Sequence, residues 1–167
     1  LTVYQKLIMS YKVARLLTVT LFEPQIPPNT GNIARLCGAN YIKLDLVGDI
    51  GFDMEDRYLK RAGLDYWKHI DWEYFPNLEK YCDSTFKHSF HLLTTKSKIS
   101  YTERIYQAND YLIFGSETAG ISEEILNSYP ENTCTIPMEN KNIRSLNLAT
   151  SVGIVLHEAI RQVRHAQ

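Results

Sequence analysis

Cysteine is scarce in this chain of 167 residues: Cys37, Cys82 and Cys134 stand apart without a C-x-x-C pair, and their odd number argues against a disulfide framework. A reducing compartment is the simpler reading. Net charge is nearly absent too. At −1 it removes the cheapest argument for nucleic-acid binding, although a local basic patch can still meet phosphates. No apolar run approaches the ~20 residues of a membrane span, and no signal-peptide core precedes a small-residue cleavage site, so we expect a soluble, intracellular protein. Also missing are G-x-G-x-x-G, G-x-x-x-x-G-K-S/T and H-E-x-x-H, which leaves dinucleotide, P-loop and zincin readings without a basis. There is no internal repeat, no low-complexity tract and no Asn-Gly hairpin signal.

What is present is ordinary globular material, 44% hydrophobic and 22% charged, in a length that suits one domain. The chain opens on Leu1 and has no methionine before Met9, so residues 1–15 read as an extension of uncertain start and 16–167 as a single domain. Leu16–Phe22 is β-branched and apolar, a central strand. Gln25–Asn32 then reads as a loop stiffened by Pro27 and Pro28, with a helix over Ile33–Ala39. Further strands are expected at Ile42–Val47, Trp67–Phe75, Phe90–Thr95, Tyr111–Phe114 and Thr133–Ile136. Helices are expected over Asp53–Arg61, Asn77–Cys82, from Ser122 to near Tyr129, and from about Leu146 to Arg164. The last carries an apolar stripe of Leu148, Val152, Val155, Leu156, Ala159 and Val163. Strand, loop and helix in repetition predict an α/β fold with a mostly parallel sheet flanked by helices.

In such sheets ligands sit beyond the carboxyl ends of the strands, where glycine lets the backbone approach closely. Four loops fall there: Asn29–Arg35, Leu93–Lys96, Gly115–Gly120 and Ile136–Asn147. They offer amides, hydroxyls, a guanidinium and a carboxylate, which can hold a polar ligand and orient a hydroxyl but supply no evident nucleophile. His88 and His91 are three apart on an expected strand, hence on opposite faces, and a metal site needs three or four converging ligands. Arg57, Lys60 and Arg61 share one helix face, ordinarily a solvated one.

Three segments carry a resemblance. Asn29-Thr30-Gly31-Asn32-Ile33-Ala34-Arg35, Phe114-Gly115-Ser116-Glu117-Thr118-Ala119-Gly120, and Ile136-Pro137-Met138 with Arg144-Ser145-Leu146-Asn147-Leu148 closely resemble the three motifs of SPOUT-class RNA 2′-O-methyltransferases. The branch is similar to the TrmL (YibK-like) enzymes, which modify the wobble cytidine or uridine of tRNA. Phe22–Pro28, Arg61–Tyr66 and Leu93–Lys96 match as well, so the likeness runs from about 17 to 163. It implies a C-terminal deep trefoil knot, S-adenosyl-L-methionine as methyl donor with no metal, tRNA as partner, and a homodimer whose active sites draw on both subunits.

By that pattern the cofactor pocket is lined by Leu93, Thr94, Gly115, Glu117 and Gly120, and by Ile136, Met138, Ser145 and Leu146. Arg35 is implied as the catalytic residue, with Asn29, Glu117, Ser145 and Asn147 completing the polar site. Arginine stays protonated, so orienting the 2′-OH and stabilising the developing alkoxide is an easier role for it than general base. Arg57, Lys60 and Arg61 become candidates for RNA phosphate. His157 stands where the family pattern has a tyrosine, and no role is carried over to it. Two other functions fit the same residues: a ribosomal-RNA 2′-O-methyltransferase, or a non-catalytic RNA-binding factor that keeps the fold. A generic nucleotide-binding module is a third reading, which predicts no preference for S-adenosylmethionine over ATP.

Overall fold

A computed structural model describes residues 16–53 and 66–166. The extension over 1–15, nearly all of the helix expected over 53–61 with Arg57, Lys60 and Arg61, and most of the Arg61–Tyr66 match lie outside the described residues. The strands are β1 (Leu17–Phe22), β2 (Lys43–Val47), β3 (Trp72–Phe75), β4 (Phe90–Leu93), β5 (Asp110–Phe114) and β6 (Thr133–Cys134). They form one sheet in the order β3-β2-β1-β5-β4-β6, with every neighbouring pair parallel. The helices are α1 (Pro27–Ala39), α2 (Leu78–Thr85), α3 (Glu123–Ser128) and α4 (Leu148–His165). None of the described helices is long and apolar enough to cross a membrane.

Both faces of the sheet are covered, so β1 is buried along its whole length and reads as a continuous apolar run. Leu17, Val19 and Leu21 point to one face, where Ile33, Ala34 and Cys37 of α1 and Val152, Val155 and Leu156 of α4 pack on them. Phe22, Val47, Leu92 and Ile113 join Tyr81 of α2 and Leu126 of α3 on the other. Polar groups on that second face are paired: Thr20 Oγ1 lies 2.8 Å from the Tyr81 hydroxyl, which donates to Asp45 Oδ2 at 2.7 Å. The sheet order turns back at β1, which leaves a crevice outside the carboxyl ends of β4, β5 and β6, the customary ligand position in open α/β sheets.

Three sequence expectations are corrected. Helix α1 starts at Pro27, not Ile33, so the stiff loop is helical. The first N–H groups of any helix lack intrahelical partners, and Pro27 and Pro28 have none to lose, so the proline pair fits the first turn. The stretch Trp67–Phe75 is not one strand: Trp67–His69 makes a 3-10 turn that buries Ile70, and β3 begins at Trp72. Helix α4 starts at Leu148 rather than about Leu146, capped by Asn147, whose side chain accepts from the Thr150 N–H at 3.2 Å. An amide at that position satisfies one of the orphan donors of the first turn.

The two histidines do not converge. His88 stacks beside Tyr111, whereas His91 on β4 lies buried with Nε2 2.9 Å from Asp110 Oδ2 on β5. Burial alone would raise the Asp110 carboxyl. Hydrogen bonds from His91, the Gln107 N–H at 2.9 Å and Ser89 outweigh it and hold the group below its ordinary value of 3.8. A carboxyl whose folded pKa is depressed stabilises the fold above its unfolded pKa, and that contribution fades as pH falls through the folded one. Urea midpoints measured from neutrality to below pH 3.8 are expected to decline less steeply for Asp110→Asn than for the wild type. Parallel curves would contradict this.

Candidate active site

Loops leaving β4, β5 and β6 surround a cavity of about 730 Å³. Leu93, Thr94, Thr95 and Lys96 form one wall, Phe114 to Ile121 a second, and Thr135, Ile136, Met138 and Arg144 to Leu148 a third. Ile26 and Asn29 at the start of α1 and Ser151 of α4 complete it. All nine residues to which the sequence gives a cofactor role therefore line one space: Leu93, Thr94, Gly115, Glu117, Gly120, Ile136, Met138, Ser145 and Leu146. Its size falls within the range of about 300–1,000 Å³ typical of ligand pockets.

The second and third walls and the foot of α1 are joined by one hydrogen-bonded chain. Glu117 reaches across 92 residues of sequence to accept the Gln25 N–H at Oε2, 2.8 Å, and the Ile26 N–H at Oε1, 3.2 Å. Its Oε1 also accepts Asn29 Nδ2 at 3.0 Å, and Asn29 Oδ1 accepts Asn147 Nδ2 at 2.9 Å. A carboxylate only accepts, so Asn29 presents its amide nitrogen to Glu117 and its oxygen to Asn147. Asn147 spends its own oxygen capping α4. All three motif segments are thus tied together at the foot of α1, with Asn29 only 7% exposed. The negative carboxylate at that helix start is also favoured by the helix dipole.

Glycine shapes the second wall. A Cβ on Gly115 would stand 2.0 Å from the Gly120 carbonyl carbon and 2.2 Å from the Ile121 nitrogen, closer than atoms can approach. The loop closes on itself there, with the Gly120 N–H donating to the Ser116 carbonyl at 2.9 Å. Gly120 has φ +69°, and a Cβ on it would meet only open space, so the wall stays bare where a side chain would stand. Gly115→Ala is expected to cost about 1–3 kcal/mol, by the measure of overpacked sites. The readings are a lower thermal midpoint and weakened ligand binding in calorimetry; an unchanged midpoint would contradict the close approach.

Not every expected site residue reaches the cavity. Arg35 sits six residues after Asn29 on α1, about 240° around the helix and about 9 Å along it. Its guanidinium lies over the Tyr66 ring, 5.2 Å from the centroid, in a separate hollow. Ser145 does line the cavity, exposed and without a hydrogen-bond partner among the described residues.

Two cations on the rim go beyond the sequence reading. Arg144 has no partner among the described residues, and Lys96 is ion-paired with Glu123 in the first turn of α3. Arg144 was legible as the residue beside Ser145. The Lys96 pairing joins residues 27 apart and had no sequence signal. Both partners of that pair are more than half exposed, so it adds little to stability.

A parallel sheet with three strand-end loops tied around one cavity defines an α/β ligand-binding enzyme scaffold. A family model described as the SpoU rRNA Methylase family matches residues 16–157, and the chain belongs to that family. It is 44% identical over 155 residues to the tRNA (cytidine(34)-2'-O)-methyltransferase of Yersinia pestis, covering 89% of this chain and 94% of that protein. With the enzyme of the same name from Methylovorus glucosotrophus the identity is 42% over 145 residues, covering 86% and 94%. A solved structure from work on 2-OH methylation of C/U34 on tRNA superposes with a TM-score of 0.82 at 37% identity, covering 87% of this chain and 95% of that one. The SpoU methyltransferase AviRb of Streptomyces viridochromogenes, solved with AdoMet, shares the fold at TM-score 0.77 and 23% identity, covering 92% and 62%.

Proposed function

We propose that this protein methylates the ribose 2′-OH of the wobble nucleotide, cytidine or uridine, of tRNA in the cytoplasm. The observation that carries the reading is the union of all three motif segments around one cavity, in a chain 37–44% identical to proteins named for, or studied in, that reaction. S-adenosylmethionine suits the space. Leu93, Ile136, Met138 and Leu146 offer apolar surface, Gly120 leaves room against the backbone, and loop amides and carbonyls offer polar contacts. When bound there it supplies a methyl group on a sulfonium, a direct donor to oxygen.

The chain's own residues have the remaining tasks. Glu117, Asn29 and Asn147 hold the walls and the foot of α1, so they act by positioning. Ser145, with a free hydroxyl in the cavity, is placed to meet substrate. Arg35 orients the 2′-OH and stabilises the developing oxyanion while the hydroxyl proton passes to solvent. Because Arg35 faces away from the cavity of its own chain, the reading includes a homodimer in which one subunit's Arg35 serves the other's cavity. It also includes the C-terminal knot. In its support, α4 returns from the edge strand β6 to pack on α1 and the central strands β1 and β5.

The test is incubation with labelled S-adenosylmethionine and total tRNA, followed by mapping of ribose methylation. Methylation confined to nucleotide 34 is expected. Folded, cofactor-binding protein that labels ribosomal RNA and no tRNA would turn the assignment to the substrate in the family's description.

A further inference from the structure

The outer face of α1 and the Trp67–His69 turn enclose a second hollow, of about 280 Å³, lined by Arg35, Gly38, Ala39, Tyr66, His69 and Ile70. We propose that it is a nucleobase subsite, which takes one unstacked pyrimidine of the RNA substrate against the Tyr66 ring and the Arg35 guanidinium. The choice of RNA as the ligand rests on the methylation reading above; the chemistry of the hollow is independent of it.

Single-stranded RNA is read by splaying a base out and stacking it on an aromatic ring or a guanidinium plane. Both groups are present and available. Tyr66 is 46% exposed, and the Arg35 guanidinium has no carboxylate or hydrogen-bonding partner among the described residues, only the ring beneath it. The space lies just under the roughly 300 Å³ at which pockets for whole small molecules begin, which suits one ring system. Its floor is apolar, with Ile70 8% exposed. Gly38 lets α1 approach that floor, since a Cβ there would stand 2.9 Å from Ile70 Cγ1.

The mount is fixed. The Tyr66 carbonyl accepts the His69 N–H at 2.7 Å, and Trp67 packs edge-on against Trp72 with ring centroids 5.2 Å apart. Charge then sets the choice of base. Among the described residues no carboxylate lines the hollow to accept from the amino group of cytosine, whereas Arg35 donates to a ring carbonyl oxygen that cytosine and uracil share. The hollow therefore takes either pyrimidine.

Cytidine and uridine 5′-monophosphates are titrated separately into the full-length protein and followed by NMR, with ribose 5-phosphate as the base-free control. Ring signals of His69 are expected to shift and saturate with both nucleotides in wild type and Tyr66→Phe, with those of Tyr66 moving alongside them in the wild type. The His69 signals should not shift in Tyr66→Leu, or with the control in any of the three proteins. In methylation assays Tyr66→Leu should raise KM for tRNA about tenfold, the loss of one base–aromatic stack. Tyr66→Phe should restore it.

Equal shifts with ribose 5-phosphate would mean that phosphate is recognised, and the subsite falls. Methylation by a wild type whose hollow ignores both nucleotides overturns the subsite and leaves the functional reading. Nucleotide binding in the hollow without any methylation does the reverse.

Discussion

Replacing Arg35 by alanine is expected to lower methyl transfer to tRNA by about 10²–10³-fold, the usual cost of removing one donor from a developing oxyanion. S-adenosylmethionine binding should be unchanged in calorimetry, because Arg35 lies outside the cavity that Leu93, Gly120 and Ile136 line. Arg35→Lys keeps the charge but not the planar fork, and should recover only part of the rate. The dimer adds a sharper expectation. Mixed Arg35→Ala and Glu117→Gln subunits should show more activity than the sum of the two variants alone, since a mixed dimer holds one intact pairing of cavity and arginine. No recovery after subunit exchange would place both residues in the same subunit's site. Loss of cofactor binding in Arg35→Ala would remove its assignment to the methyl acceptor.

Glu117→Gln is expected to be damaging as well, to a smaller extent and for a different reason. The substitution is isosteric, yet the carboxylate accepts from Gln25, Ile26 and Asn29 through both oxygens. A glutamine has one oxygen, so at least one donor meets an NH₂ group instead. A buried donor left unpaired costs about 1–3 kcal/mol. In a chain of this size that is roughly 2–4 °C of thermal midpoint per kcal/mol. The second loop would then lose its hold on the foot of α1, and methyl transfer should fall about tenfold, an estimate scaled from that energy. A variant with wild-type stability but reduced activity would instead give Glu117 a direct chemical role.

Much of this arrangement is legible in the sequence because strands buried on both faces leave a plain trace. β1 is apolar or β-branched throughout and β2 and β5 are mostly so; they end at Phe22, Val47 and Phe114, and the loops that follow β4, β5 and β6 wall the cavity. The start of α1 is hidden because two prolines read as a stiff loop in isolation, whereas the carboxylate that receives the N–H groups just before it, those of Gln25 and Ile26, lies 92 residues from Gln25. The positioning role of Glu117 is not legible for the same reason: its partners are remote in sequence. The separation of Arg35 from Asn29 is a matter of helix phase, which a segment read partly as loop does not define. The Lys96–Glu123 pair and the Arg35–Tyr66 contact belong to tertiary packing alone.

The chain from Asn147 through Asn29 to Glu117 has a direction. Each amide donates its N–H toward Glu117, and the Thr150 N–H behind Asn147 and the Gln25 and Ile26 N–H groups around Glu117 fix the two ends. Turning Asn29 over would set oxygen against oxygen at Glu117 and nitrogen against nitrogen at Asn147. No single amide can therefore rotate alone, and an ionised Asp at position 29 could receive but not give. The joint between the three loops is keyed by where its protons sit as well as by its shape.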